Sequence, residues 1–369
     1  MTKEKRGMRS DSGTLRIRDA APADEPALRA LTEVPMPGAV RVSYRQSPDF
    51  FLGERIRGDE ARTGVLTDVT NAVLGCGTRV VRRAWFEGAW RRTGYYCTLR
   101  AFRGGRNVRA VLAAYRWARG IEEADPLAVI TSTIVSANFH AVKLLTSRRA
   151  GLPAYLDAGG VVTFSAVARA LRSRPDRSLV IVRATAADAA ALRAFYGDPK
   201  GMQPLFPALA DPLPPGLDWS DFVFVRGRGT GEIVAAAALW DQSAHRQVQV
   251  TGYSPWLHFL RPLVNFAGAV RGLPQLPAPG SDFNFRYLAF RKVQTGEVAA
   301  FRALLAGAGA ALRPNESLSF SLHERDPFFP LVANLKAIRY ASRLYTLSYA
   351  PDPRPVDFGG APYVEAAML

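Results

Sequence analysis

The chain has 369 residues, 48% hydrophobic and 22% charged, which is enough apolar chain for two domains or one large one and excludes a disordered polypeptide. Its formal charge is +16, yet all but six of the 48 basic residues are arginines scattered among alanines, a pattern of GC-rich, bacterial codon usage more than of a basic face for nucleic acid. Cys76 and Cys97 offer neither a disulfide framework nor a ligand spacing, and no apolar run reaches the roughly 20 residues of a membrane span, so a reduced cytoplasmic chain is expected.

Residues 1–13 are polar, lack the apolar core of a signal peptide and read as a disordered tail. Thr14 to Arg18 alternates as a strand, and Pro22-Ala23-Asp24-Glu25 opens a helix with Ala27, Leu28 and Leu31 on its apolar side. Val40 to Tyr44 extends the chain, and Ser47-Pro48-Asp49 caps a helix starting at Phe50. Arg62 to Thr67 and Ala72 to Phe86 read as strands joined at Asn71, and Glu87-Gly88 turns into a third, rich in Tyr, Thr and Phe from Thr93 to Phe102. Arg103-Gly104-Gly105-Arg106-Asn107 then feeds a helix in which Val108, Leu112 and Tyr115 share helical spacing, ending near Gly120. Glycines let the backbone approach a ligand, and the N–H groups at a helix start suit a pyrophosphate. An ordinary β-turn-α connection with surface arginines is the competing reading of that turn. Leu127 to Ser132 is a strand, Asn138 to Leu145 a helix, and Gly160 to Val167 a strand closing this half.

Residues 168–177 are Arg-rich and polar, a linker, after which the same pieces return. Ser178 to Arg183 is a strand and Ala186 to Phe195 an acid-started helix. Asp221 to Val225 and Ile233 to Leu239 form a hairpin that Val248 to Gly252 extends. Phe283 to Phe290 is a strand, Gly296 to Leu305 a helix, Ser317 to Leu322 a strand, Phe328 to Arg339 a helix and Ser342 to Tyr349 the final strand. This second copy has one glycine and an acid, Gly296-Glu297, where the first has its glycine turn, so it is expected to bind no pyrophosphate. Its insertion, Tyr253 to Gly280, carries Trp256, Leu257, Phe259, Leu260, Leu263 and Phe266. That stretch is either an amphipathic helix packed on the first half or an apolar wall for a fatty acyl chain.

The strand, Arg103-Gly104 turn and helix resemble the pyrophosphate loop of the GNAT superfamily of acyl-CoA-dependent N-acyltransferases, with Arg106 and Val108 where that family has small residues. Asn138-Phe139-His140-Ala141 with Leu145 is similar in spacing to its Asn-x-x-Ala-x-x-x-Tyr stretch, although Leu145 lacks the hydroxyl that in many members protonates the leaving thiolate. The resemblance implies an α/β protein of two tandem GNAT-like domains, each a mixed, mostly antiparallel sheet flanked by helices, at 14–167 and 178–369. It implies acyl transfer from acetyl-CoA or a longer acyl-CoA to a small amine or amino acid by direct attack. Leu99, Arg100 and Ala101, the turn from Arg103 through Gly104, Gly105, Arg106 and Asn107 to Val108, and Asn138 would hold the cofactor. His140, Asp49 and Glu54 are candidate bases, and Tyr96 or Tyr155 a replacement acid. No metal is expected, because His140, His245, His258 and His323 are scattered. Two rivals remain open, an inactive GNAT-fold binding or interaction protein and a basic nucleic-acid-binding protein, and under each reading the chain is open to forming a homo-oligomer.

Overall fold

Among the described residues two sheets organise the chain, one of 12 strands and one of two. The computed structural model describes residues 15–36, 40–102, 108–174 and 176–369. The tail 1–13 and the turn Arg103, Gly104, Gly105, Arg106 and Asn107 lie outside the described residues. The first half runs β1 (Arg16–Asp19), α1 (Glu25–Glu33), β2 (Val40–Arg45), α2 (Phe50–Arg55), β3 (Glu60–Thr67), β4 (Val73–Phe86), β5 (Ala89–Ala101), α3 (Val108–Ala124), β6 (Ile130–Val135), α4 (Phe139–Leu145) and β7 (Ala154–Val167). The second runs β8 (Leu179–Arg183), α5 (Ala189–Gly197), β9 (Phe222–Gly227), β10 (Ile233–Trp240), β11 (Gln247–Tyr253), α6 (Pro255–Arg271), β12 (Phe285–Val293), α7 (Val298–Ala310), β13 (Ser317–His323), α8 (Phe329–Val332) and β14 (Ile338–Ser348).

Local chemistry accounts for the boundaries. Asp49 caps α2 by accepting from the Leu52 amide at 3.1 Å. Phe86 pairs with Ala89 across Glu87 and Gly88, both at positive φ (51° and 73°), the two-residue turn whose twist suits a hairpin.

The large sheet has the order β1-β3-β4-β5-β6-β14-β7-β13-β12-β10-β9-β8. Taken from either end it is the same series, meeting at β14 and β7. Every pairing is antiparallel except β5 with β6 and β12 with β13. The closing strands are traded: β7 pairs with β13 of the second half, and β14 pairs with β6 of the first. Helix α3 buries Ala110, Tyr115 and Ala118 on one face of the first half, while Leu28 and Leu31 of α1 cover the other. In the second half α7 plays the part of α3, burying Ala300, Phe301, Leu304 and Ala308 against β9, β10 and β12.

Several expectations need correction. Val248 to Gly252 does not extend the β9–β10 hairpin; it pairs with β2 in a separate ribbon, Val250 opposite Val42, because the first half offers a partner there. Phe328 to Arg339 gives one helical turn, α8, and the chain is already strand at Ile338, where β7 supplies a ladder. The strand expected at 127–132 is shifted to Ile130–Val135, and α3 continues past Gly120 to Ala124. Some of the arginines are structural, buried and paired with carboxylates: Arg291 with Asp326 at 2.7 Å, Arg286 with Glu316 at 3.0 Å and Arg79 with Glu122 at 3.3 Å.

Candidate functional site

Parallel β5 and β6 touch over a short stretch only, pairing at Gly94–Ile130 and Tyr95–Thr131. Thr131 Oγ1 donates to Gly94 O (3.1 Å) and Ser132 Oγ to Tyr96 O (2.9 Å), pinning the apex. Past Tyr96, β5 bulges. Thr98 adopts φ of 52°, and Thr98 and Leu99 together stand opposite Gly77, since Cys97 pairs with Thr78 and Arg100 with Cys76. The two strands therefore open into a V. Its β5 wall carries half-exposed Leu99, then Arg100 and Ala101, and α3 starts at Val108 beyond its mouth.

The second half repeats this device. β12 and β13 pair from Phe285–Ser317 to Tyr287–Ser319, and three residues on Phe290 takes φ of 52°, as Thr98 does three residues after Tyr95. Here the opening is filled from within. The segment Tyr363 to Met368 is buried in it: Glu365 Oε2 accepts from the Phe290 amide (2.6 Å), and Tyr363 Oη accepts from the Arg291 amide (2.9 Å). Tyr363 Oη donates to Glu365, which also accepts from Ala367 N at 3.0 Å. Burial pushes the Glu365 carboxyl above its ordinary range despite these donors. By position, the amides that Glu365 and Tyr363 satisfy correspond to those of Thr98 and Leu99.

Beneath the first bulge lies a buried charge network. Glu54, on α2 and 1% exposed, accepts from Gln46 Nε2 and from Thr98 Oγ1 (3.0 and 3.1 Å), and pairs with Arg57 at 3.2 Å. Cys97 Sγ stands 3.8 Å from it. Burial alone would raise the Glu54 carboxyl, but Arg57 and the hydrogen bonds outweigh it and leave the group below its ordinary value. The Arg246 guanidinium from the second half joins the network; burial and Arg57 lower its pKa, while it donates to Ala367 O at 2.8 Å. Arg100 stacks 6.0 Å from the Tyr44 ring and Arg82 5.1 Å from that of Tyr95. A cavity of about 300 Å³ between α2 and the β1–β3 edge has Glu54, Phe51 and Thr63 in its wall.

Of the residues singled out in the sequence, the fold brings Glu54 to the bulge beside Leu99 and Arg100. Asp49 is occupied as a helix cap. Asn138 likewise caps α4, accepting from the Ala141 amide at 3.2 Å, while His140 stands exposed on that helix. Tyr96 faces the opposite side of the sheet from Cys97, under α3, where burial pushes its hydroxyl up to about 12. Leu145 is buried in that cluster with Tyr96, Tyr115 and Tyr155, the last two joined through their hydroxyls. Sequence reading missed Arg57, Gln46, Thr98 and Arg246. Only Arg57 left a signal, as a cation three residues after Glu54, in the turn just past α2. Among the described residues no three His, Cys, Asp or Glu side chains assemble as a metal site.

No family model matches the sequence and no curated protein is similar to it. Solved structures are similar in fold. A tandem GNAT protein from the clavulanic acid biosynthesis pathway shares 11% identity, with 92% of this chain and 100% of that one covered, at a TM-score of 0.52. Saccharomyces cerevisiae N-myristoyltransferase, solved with myristoyl-CoA, is 9% identical over 92% of this chain and 80% of its own (TM-score 0.51). A GCN5-related N-acetyltransferase from Anabaena variabilis is 11% identical over 90% and 72% (TM-score 0.51). The chain has the GNAT fold in tandem, the two units sharing one sheet.

Proposed function

We propose that the protein is a cytoplasmic acyl-CoA N-acyltransferase, with acetyl the first acyl group to test and a small amine or amino acid as acceptor. Its units are taken as residues 14–167 and 178–369, joined by 168–177, and only the first carries the cofactor. The observation that carries this reading is the contrast between the two V-shaped openings. The second is filled by Tyr363 and Glu365, whose oxygens satisfy the bulge amides; the first presents the equivalent backbone beside α3.

An acyl-CoA bound there supplies a thioester whose carbonyl an amine can attack. The elements fit such a group: among the described residues β6 pairs with β5 only at Gly94 and Tyr95, short of the bulge at Thr98 and Leu99, while α3 begins at Val108 and Asn138 caps the helix that follows β6. The turn 103–107 would cradle the pyrophosphate by its amides. Glu54 is a positioning residue in this scheme. Its lowered pKa makes it a poor proton acceptor near neutrality, whereas the single hydroxyl of Thr98, shared between its two oxygens, fixes the bulge. The amine's proton leaves to solvent or to His140. Tyr96 keeps its proton at neutral pH and is the donor proposed for the departing thiolate, in place of the hydroxyl that Leu145 lacks.

The test is release of free CoA thiol from acetyl-, octanoyl- and myristoyl-CoA in the presence of an amine panel, alongside calorimetric titration with CoA. Binding of one CoA per chain and amine-dependent thiol release are expected; absence of binding at millimolar CoA would remove the proposal. Tyr96→Phe should lower kcat about 100-fold, the usual worth of a positioned acid, while the Kd for CoA stays unchanged. A shift in Kd with kcat preserved would assign Tyr96 to packing.

A further inference from the structure

We propose that the outer face of α6 docks the protein on an anionic lipid surface. The helix is fastened by its inner side. Leu257 and Gly268 are buried, Leu257 in a cluster with Val40 and Val250 of the β2–β11 ribbon. Asn265 both donates to and accepts from the Leu276 backbone, at 3.0 and 2.8 Å, and Arg261 Nη1 donates to Leu276 O at 3.3 Å. The opposite side is apolar and in solvent. Trp256, Phe259, Leu260, Leu263, Phe266 and Val270 recur at steps of three and four, one stripe along the helix, with Phe259 87% and Phe266 71% exposed. A helix of a water-soluble protein turns such a stripe inward. This corrects the expectation that the insertion packs its apolar side on the first half. A patch this large on a monomer marks an interaction surface.

Charge selects the partner. No Asp or Glu occurs from Gln242 to Ser281. Arg41 donates to Tyr253 O at 3.2 Å at one end of α6; at the other, Arg169 donates to Val270 O at 3.4 Å and Arg271 closes the last turn. An aromatic stripe flanked by cations is the pattern of a helix lying in the headgroup plane, apolar face down and arginines on lipid phosphates. A second copy seated symmetrically on the stripe would bring the same cations against each other. The helix lies on the surface and does not span it, since no described helix is long and apolar enough to cross a membrane. This docking does not depend on the acyl-transfer reading.

The experiment is co-sedimentation of the full chain with vesicles of phosphatidylcholine containing roughly one-third phosphatidylglycerol, and with phosphatidylcholine alone. The protein should pellet with the anionic vesicles, less so as salt rises. Phe259→Ser/Phe266→Ser, at exposed positions, should keep the far-UV circular dichroism and weaken partitioning about 100-fold, the worth of two unburied aromatic side chains. Trp256→Phe should remove the fluorescence blue shift that the vesicles induce. Failure of the wild type to pellet, or equal pelleting of the double variant, overturns the proposal. So does a dimer in sedimentation velocity that the same pair of substitutions dissolves, which would give the stripe to a second copy.

Discussion

Glu54→Leu is expected to destabilise the fold by about 3–5 kcal/mol, because it strands the buried Arg57 guanidinium without its counter-charge. Urea denaturation measures this as a lower midpoint at unchanged m-value. Glu54→Leu/Arg57→Met removes both charges and should recover most of the loss, since a buried pair replaced by apolar groups of similar volume is often neutral. Acyl transfer should stay low in the double variant, for Thr98 has then lost the acceptor that fixes the bulge. A single variant as stable as wild type would show that the pair carries no weight. The pH dependence has a definite sign. The Glu54 carboxyl lies below its ordinary value, so its stabilising contribution is complete above about pH 4 and disappears as pH falls through the depressed value. The acid limb of the stability profile should flatten in the variant.

Glu365→Ala should cost about 3 kcal/mol or more, as it orphans the Phe290 and Ala367 amides and the Tyr363 hydroxyl in one step. Its pH dependence runs opposite to that of Glu54. Burial raises the Glu365 carboxyl, so its contribution is complete below the ordinary carboxylate pKa and declines as pH rises through the elevated one. The penalty of the substitution should therefore be larger in mild acid than at neutrality. Calorimetry adds a second readout. CoA stoichiometry should remain at one per chain in Glu365→Ala, because Tyr363, Ala367 and Met368 still fill the second opening. Two sites per chain in the wild type would end the assignment of the cofactor to the first half.

Much of the element order was legible, because turn residues punctuate it: Asn71, Glu87-Gly88 and the acids immediately before α1, α2 and α5 lie where the chain turns. The two bulges were not. Thr98 and Phe290 take left-handed φ without glycine, so no local signal marks them, and it is tertiary packing that holds them there. Strand exchange was equally invisible, since β7 and β14 read as strands whichever neighbour they take. The outward turn of α6 could not be read either; a 3.6-residue stripe states that one side is apolar without saying which way it faces. Glu54 was found in the sequence as an acid near a cleft, but its partners come from the segment after β2, from β5 and from the second half.

The traded closing strands tie the proposed cofactor site to chain synthesis. When β6 leaves the ribosome, the strand that will flank it, β14, is still untranslated, and β7, which follows β6 closely, is destined for β13. The nascent first half must wait with an unpaired β6 edge until β14, about 200 residues further on, is made, a state prone to wrong pairing. Expressed by itself, residues 14–167 would lack the strand that braces β6, and their behaviour would say little about the activity of the joined chain.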